Sequence, residues 1–168
     1  MNARKPTRLK DFDYSQNGTY FVTICTKNRK CVLSDIYVGQ GLAPAETKLS
    51  IYGSIAQQEL LSLEKKFCGV KIDKYAIMPN HIHCIIRIDN NTAGASPCPT
   101  LSHIICTFKS LTTRKCNHHS HTGSLFQSSF YDHIIRNEKD YLKIWEYIDN
   151  NATKWKTDKY FSIEKTTV

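Results

Sequence analysis

His81 and His83 stand on either side of one apolar residue, Ile82, at the head of the apolar run Ile82 to Ile88. If that run is a β-strand, side chains alternate between its faces. Both imidazoles then point one way and Ile82 points into a core. Two imidazoles held side by side on a rigid strand make a platform for a divalent metal ion. A pair of buried structural histidines is the plainer alternative, so the elements that position the pair must carry the case.

A second reactive group lies near the C-terminal end. Tyr141, Ile144, Trp145 and Ile148 follow the i, i+3, i+4, i+7 rule and form the buried stripe of a helix beginning at Glu138. Tyr147 falls roughly 110° from the centre of that stripe, on the rim of the helix. Asn151 is one turn further along the same edge, so the two should project together. A nucleophile must reach its substrate, and this favours Tyr147 over Tyr141, which sits mid-stripe. Tyr131, on a strand beside His133, is left undetermined.

The elements that would position these residues follow from periodicity. Residues 1–18 read as a basic arm closed by Asn17-Gly18. Thr19 to Thr26 is rich in β-branched and aromatic residues and reads as a strand. Lys27 to Lys48 is irregular, with a short strand expected around Cys31 to Leu33. Tyr52, Ala56, Leu60, Leu63 and Phe67 mark an amphipathic helix over 50–67. Val70 to Met78 and Ile82 to Ile88 form a hairpin that bends at Pro79-Asn80, because proline cannot donate to a ladder. A loop over 89–99 leads to a helix over 101–116, and Phe130 to Arg136 is a further strand.

The predicted order is strand, helix, strand, strand, helix, strand, helix. Its first six elements form a ferredoxin-like βαββαβ unit of class α+β, with an antiparallel sheet and two helices on one face. The extra C-terminal helix is free to cover the opposite face, where His81 and His83 emerge. The chain is read as a single domain over 19–155 with a tail over 156–168.

Bulk properties narrow the partners. The formal net charge of +8 suits a polyanion, and nucleic acid is the commonest one. No apolar run approaches the roughly 20 residues that span a bilayer, and Met1 to Pro6 is not a signal peptide, so a cytoplasmic location without membrane association is expected. The seven cysteines are odd in number and contain no C-x-x-C pair, which argues against a disulfide framework or a zinc ribbon. His118, His119 and His121 cluster in a polar stretch without cysteine partners and read as a solvated loop.

Taken together, these segments resemble the single-tyrosine HUH transposases, and within them the REP-associated tyrosine transposases. The resemblance is carried by Arg8-Leu9-Lys10 and Tyr14 to Thr26, by Ala76-Ile77-Met78-Pro79-Asn80-His81-Ile82-His83, by Phe108-Lys109-Ser110-Leu111-Thr112, by Phe130 to Arg136, and by Tyr147-Ile148-Asp149-Asn150-Asn151. It runs from about Arg8 to Trp155. Phe126 and Ala152 stand where the family often has tryptophan and proline. The resemblance implies the HUH endonuclease fold, His81 and His83 as metal ligands, Asn151 as the third ligand and Tyr147 as the nucleophile. It further implies cleavage of single-stranded DNA near a hairpin through a covalent 5′-phosphotyrosine, as monomer or homodimer.

A mixed nitrogen and oxygen site suits Mg2+ or Mn2+. Arg4, Lys5, Arg8, Lys10, Lys109 and Arg114 are the expected DNA contacts, giving salt-sensitive affinity. Two other readings compete. One is a domesticated hairpin-DNA-binding module that no longer cuts. The other is an RNA-binding βαββαβ sheet, which lacks the expected aromatic signature and leaves the histidine pair unexplained.

Overall fold

A computed structural model describes residues 17–37, 45–89, 91, 99–119 and 123–161. In chain order its elements are β1 (Gly18–Cys25), β2 (Ser34–Tyr37), β3 (Glu46–Leu49), α1 (Ile51–Lys66), β4 (Val70–Ile77), β5 (His81–Ile88), α2 (Leu101–His119), β6 (Tyr131–Ile135) and α3 (Glu138–Asp149). Four strands form one antiparallel sheet in the order β4-β5-β1-β6. This is the expected ferredoxin-like arrangement, with the two most apolar strands, β1 and β5, at its centre.

Alternation along those central strands decides what each face buries. Tyr20, Val22 and Ile24 of β1 join Ile82, Cys84, Ile86 and Ile88 of β5 beneath α1 and α2. The helices meet them with Ala56, Leu60 and Leu63 from α1 and Ile104, Ile105 and Phe108 from α2. Ser50 caps α1, its hydroxyl accepting from the Gly53 amide at 3.0 Å. Gly53 itself faces the backbone of Leu33 so closely that a Cβ would stand 2.0 Å from the Leu33 carbonyl oxygen.

The opposite face is closed by α3. Ile144 and Ile148 pack on Phe21, Ile85 and Ile135, with Tyr141 and Trp145 half-buried beside them. Asn137 caps this helix by accepting from the Asp140 amide at 2.9 Å. Tyr141 donates to Asp73 on β4 at 3.2 Å, and Asp149 pairs with Lys74 at the other end. Pinned at both ends, α3 holds Tyr147 at a fixed place over the sheet.

Three features differ from the sequence reading. The strand expected at 31–33 is replaced by a two-stranded ribbon of β2 and β3. Its strands are four residues long and mostly polar, so no apolar alternation marks them. The second helix runs to His119 rather than Cys116, which puts His118 and His119 in its last turn. The tail read as starting at 156 stays packed through Phe161: Trp155 and Tyr160 are buried against Met78. The basic arm up to residue 16 and residues 162–168 lie outside the described residues. Among the described residues no helix is long and apolar enough to cross a membrane.

Candidate active site

The turn at Pro79-Asn80 delivers His81 as the first residue of β5. The turn is held in register by Thr26, whose amide donates to the Asn80 carbonyl at 2.9 Å, and by Leu33, whose amide donates to the Pro79 carbonyl at 3.0 Å. Antiparallel pairing sets Cys25 opposite His81 and Thr23 opposite His83. As the i, i+2 spacing requires, both imidazoles emerge on the α3 side, with ring centroids 4.4 Å apart.

Each ring is held by one nitrogen. Nδ1 of His81 lies 2.9 Å from Oδ1 of Asn80, and Nδ1 of His83 lies 2.9 Å from the Thr23 hydroxyl. Phe21 stacks on His83 at 5.2 Å and Tyr160 lies over His81 at 4.6 Å. The Nε2 atoms are thereby turned into a common gap. The Tyr147 hydroxyl reaches the gap from α3, 3.3 Å from Nε2 of His83. Nε2 of His81 and Oδ1 of Asn151 are both buried there with no hydrogen-bond partner.

The electrostatics favour neutral imidazoles. Burial, reinforced by the nearby positive charges of Lys159 and Arg29, pushes His81 down to about 3. Burial, then His81 and Lys159, holds His83 well below its ordinary value. Both rings therefore present lone pairs rather than charge at neutral pH, the state a metal ion requires. Burial and the Asp158 carboxylate raise the Tyr147 phenol above its ordinary value, so it carries its proton at neutral pH.

A second oxygen donor, the fourth donor of the group, comes from a residue the sequence reading placed in the tail. After α3 the chain reverses, and a short 3-10 turn at Trp155–Thr157 brings Asp158 beside the histidines. Ligand atoms of His81, His83 and Asp158 all lie within 4.8 Å of one another. One Asp158 oxygen, Oδ1, accepts from the Tyr160 amide at 2.7 Å, which fixes the carboxylate and leaves its other oxygen available. The aromatic pair Trp155 and Tyr160, bracketing an aspartate, is the signal in the sequence that a packed segment follows α3.

Two neutral imidazoles, a carboxamide oxygen without a partner and a carboxylate form an N2O2 donor set, and that set fits a divalent ion. Beside it opens a cleft of about 380 Å3 lined by Phe21, His83, Tyr131, Tyr147, Asn151, Lys154, Asp158 and Lys159. Tyr147 is 39% exposed, as its rim position on the helix predicts. Asn151, one turn on, is 2% exposed and faces inward to the histidines rather than outward along the flank.

The residues expected to contact DNA divide into three groups. Arg4, Lys5, Arg8 and Lys10 lie outside the described residues. Arg114 is exposed on α2, on the wall of a groove of about 980 Å3 between that helix and residues 123–130. Lys109 turns instead to the backbone. Its ammonium donates to the carbonyls of Gln127 at 2.6 Å, Ser128 at 3.0 Å and Ser129 at 3.0 Å. An ammonium has three N–H donors, and all three are taken by these carbonyls. In this structure Lys109 is a clamp that ties the approach to β6 onto α2.

Comparison with known proteins agrees with this architecture. The family model described as "Transposase IS200 like" matches residues 14–151, which include both histidines, Tyr147 and Asn151. An uncharacterised protein of Haemophilus influenzae is 34% identical over 96% of this chain and 94% of its own length. The solved structure of a REP-associated tyrosine transposase bound to a REP hairpin shares the fold. Its TM-score is 0.62 at 20% identity, covering 88% of this chain and 73% of that one.

Proposed function

The chain belongs to the IS200-like transposase family, and from that premise we propose that it cuts and rejoins single-stranded DNA beside a hairpin, with Tyr147 as nucleophile. The observation that carries this reading is the meeting of the Tyr147 hydroxyl with the histidine pair, 3.3 Å from Nε2 of His83, next to two buried polar atoms without partners.

His81, His83, Asn151 and Asp158 would hold a divalent ion, Mg2+ or Mn2+ on the chemistry of the donors. When bound, the ion offsets negative charge on the scissile phosphate and on the departing 3′ oxygen. The rest is done by side chains. Lys154 and Lys159 stand on the cleft wall and draw the phosphodiester towards Tyr147. The phenol begins protonated and releases its proton to water at the open side of the cleft as its oxygen attacks phosphorus. The tyrosine oxygen–phosphorus bond forms, the bond from phosphorus to the 3′ oxygen breaks, and that oxygen takes up a proton. The product is a 5′-phosphotyrosine and a free 3′-hydroxyl. Reversal on a second strand conserves the bond energy and needs no nucleotide.

The hairpin in the solved relative supports hairpin DNA as the partner here. The exposed Arg114 is the described residue we assign to its phosphates.

The test uses hairpin DNA with single-stranded flanks and Mg2+ or Mn2+. The expected product is a protein–DNA adduct that survives denaturation and is absent from Tyr147→Phe. An adduct that persists in Tyr147→Phe would place the nucleophile elsewhere. Tight hairpin binding without any adduct would favour the non-cutting module.

A further inference from the structure

Asn80 is wholly buried in the turn before β5, where the chain needs only a bend. Its side chain makes three polar contacts. Oδ1 lies 2.9 Å from Nδ1 of His81, while Nδ2 donates to the Tyr160 carbonyl at 2.8 Å and to the Arg29 carbonyl at 3.2 Å. Carbonyl oxygens accept and cannot donate, so this network fixes the amide with its nitrogen towards them and its oxygen towards His81. An oxygen facing Nδ1 requires the proton to sit on Nδ1. A neutral imidazole has a single N–H, so Nε2 is left as a bare lone pair, and that is the atom buried without a partner in the gap.

We propose that Asn80 is the positioning residue of the site: it sets His81 as the Nδ1–H tautomer and, through the same amide, latches residues 155–161 over the histidines. The latched segment carries Asp158 and Lys159. Ligand orientation and closure of the C-terminal segment thus become one event.

The segments that converge on Asn80 show the cost of this arrangement. Asn28 and Arg29 both adopt left-handed backbone, with φ of 56° and 55°, a region asparagine visits readily and arginine seldom. That conformation accompanies an Arg29 carbonyl aimed at Asn80. It also accompanies an Arg29 guanidinium placed 5.2 Å from the centre of the Tyr160 ring. Tyr160 in turn lies on His81. Three stretches distant in sequence, 28–29, 80–81 and 158–160, therefore meet on one amide.

The inference rests on His81 as a ligand, but its test needs no DNA. In the full-length protein labelled with 15N-histidine, long-range 1H–15N correlation in the absence of metal should show His81 protonated at Nδ1. A proton on Nε2 would overturn the assignment, and this measurement requires no variant to fold. Asn80→Asp keeps an oxygen for His81 and removes both donors. The tautomer should persist, amide hydrogen exchange over residues 155–161 should quicken about tenfold, and Mn2+ binding should weaken about 10- to 100-fold. Unchanged exchange there would overturn the latch. Asn80→Ala removes both functions and should give mixed tautomers at His81; a pure Nδ1–H form would overturn the tautomer role. Should the spectra agree while no covalent DNA adduct forms, the role of Asn80 stands and the strand-cutting reading falls.

Discussion

At their centres the two faces of the main sheet bury side chains of different chemistry. Towards α1 and α2, β1 and β5 present Val22, Ile24, Ile82, Cys84 and Ile86, each with no exposed surface. Towards α3 the same two strands present Thr23, His81 and His83, between 0% and 2% exposed. Depth of burial therefore does not separate core from site in this molecule. What separates them is convergence: a buried polar atom without a partner costs stability, and the α3 face brings two of them, Nε2 of His81 and Oδ1 of Asn151, together beside Tyr147.

That contrast can be broken most sharply at His81. His81→Leu should lower strand cleavage on the order of 10³-fold and remove Mn2+ binding, because a ligand is lost. The same substitution should change urea stability by no more than about 1 kcal/mol, since an apolar side chain replaces a half-satisfied one. A large loss of stability would show that His81 belongs to the packing after all. The reciprocal change is Ile86→Ala on the helix-covered face. It should cost about 2–5 kcal/mol in urea unfolding while leaving cleavage per folded molecule intact.

Acid sharpens the same comparison. The unfolded chain binds a proton at His81 near 6.5, whereas the folded chain resists until about 3. The unfolded state thus holds more protons through that interval, and stability rises with pH there. Stability should be full above 6.5 and drain as pH falls towards 3, and His81→Leu should flatten this slope in pH-dependent denaturation curves. The smallest expected effect is at the strained turn. Asn28→Gly should raise stability by up to about 1 kcal/mol, read by the same denaturation assay, because glycine adopts positive φ without penalty.

What the sequence disclosed was whatever depends on period. The i, i+2 spacing placed both histidines on one face, and the 3.6-residue period placed Tyr147 on the rim of α3, because strand and helix geometry fix those directions before any tertiary contact forms. The same reasoning could not reach Asp158. It follows α3 in a stretch with no repeat, and its approach depends on a chain reversal anchored by Trp155 and Tyr160. Nor could it show that Lys109 spends its donors on the carbonyls of 127–129, since charge in a sequence carries no record of its partner. The β2–β3 ribbon was hidden for a third reason: Ser34 to Tyr37 and Glu46 to Leu49 are too short and too polar to alternate visibly.

Gly53 shows how far from the histidines their placement is decided. The backbone of Leu33 is grasped on both sides of its Cα: its carbonyl accepts from the Ser50 amide at the start of α1, and its amide donates to the Pro79 carbonyl ahead of His81. Gly53 rests against that carbonyl with no room for a methyl group. A single added carbon on a helix of the other layer would thus push, through the backbone of one residue, on the bend that leads into His81 and His83. The placement of the histidine pair is guarded in part by an absent side chain.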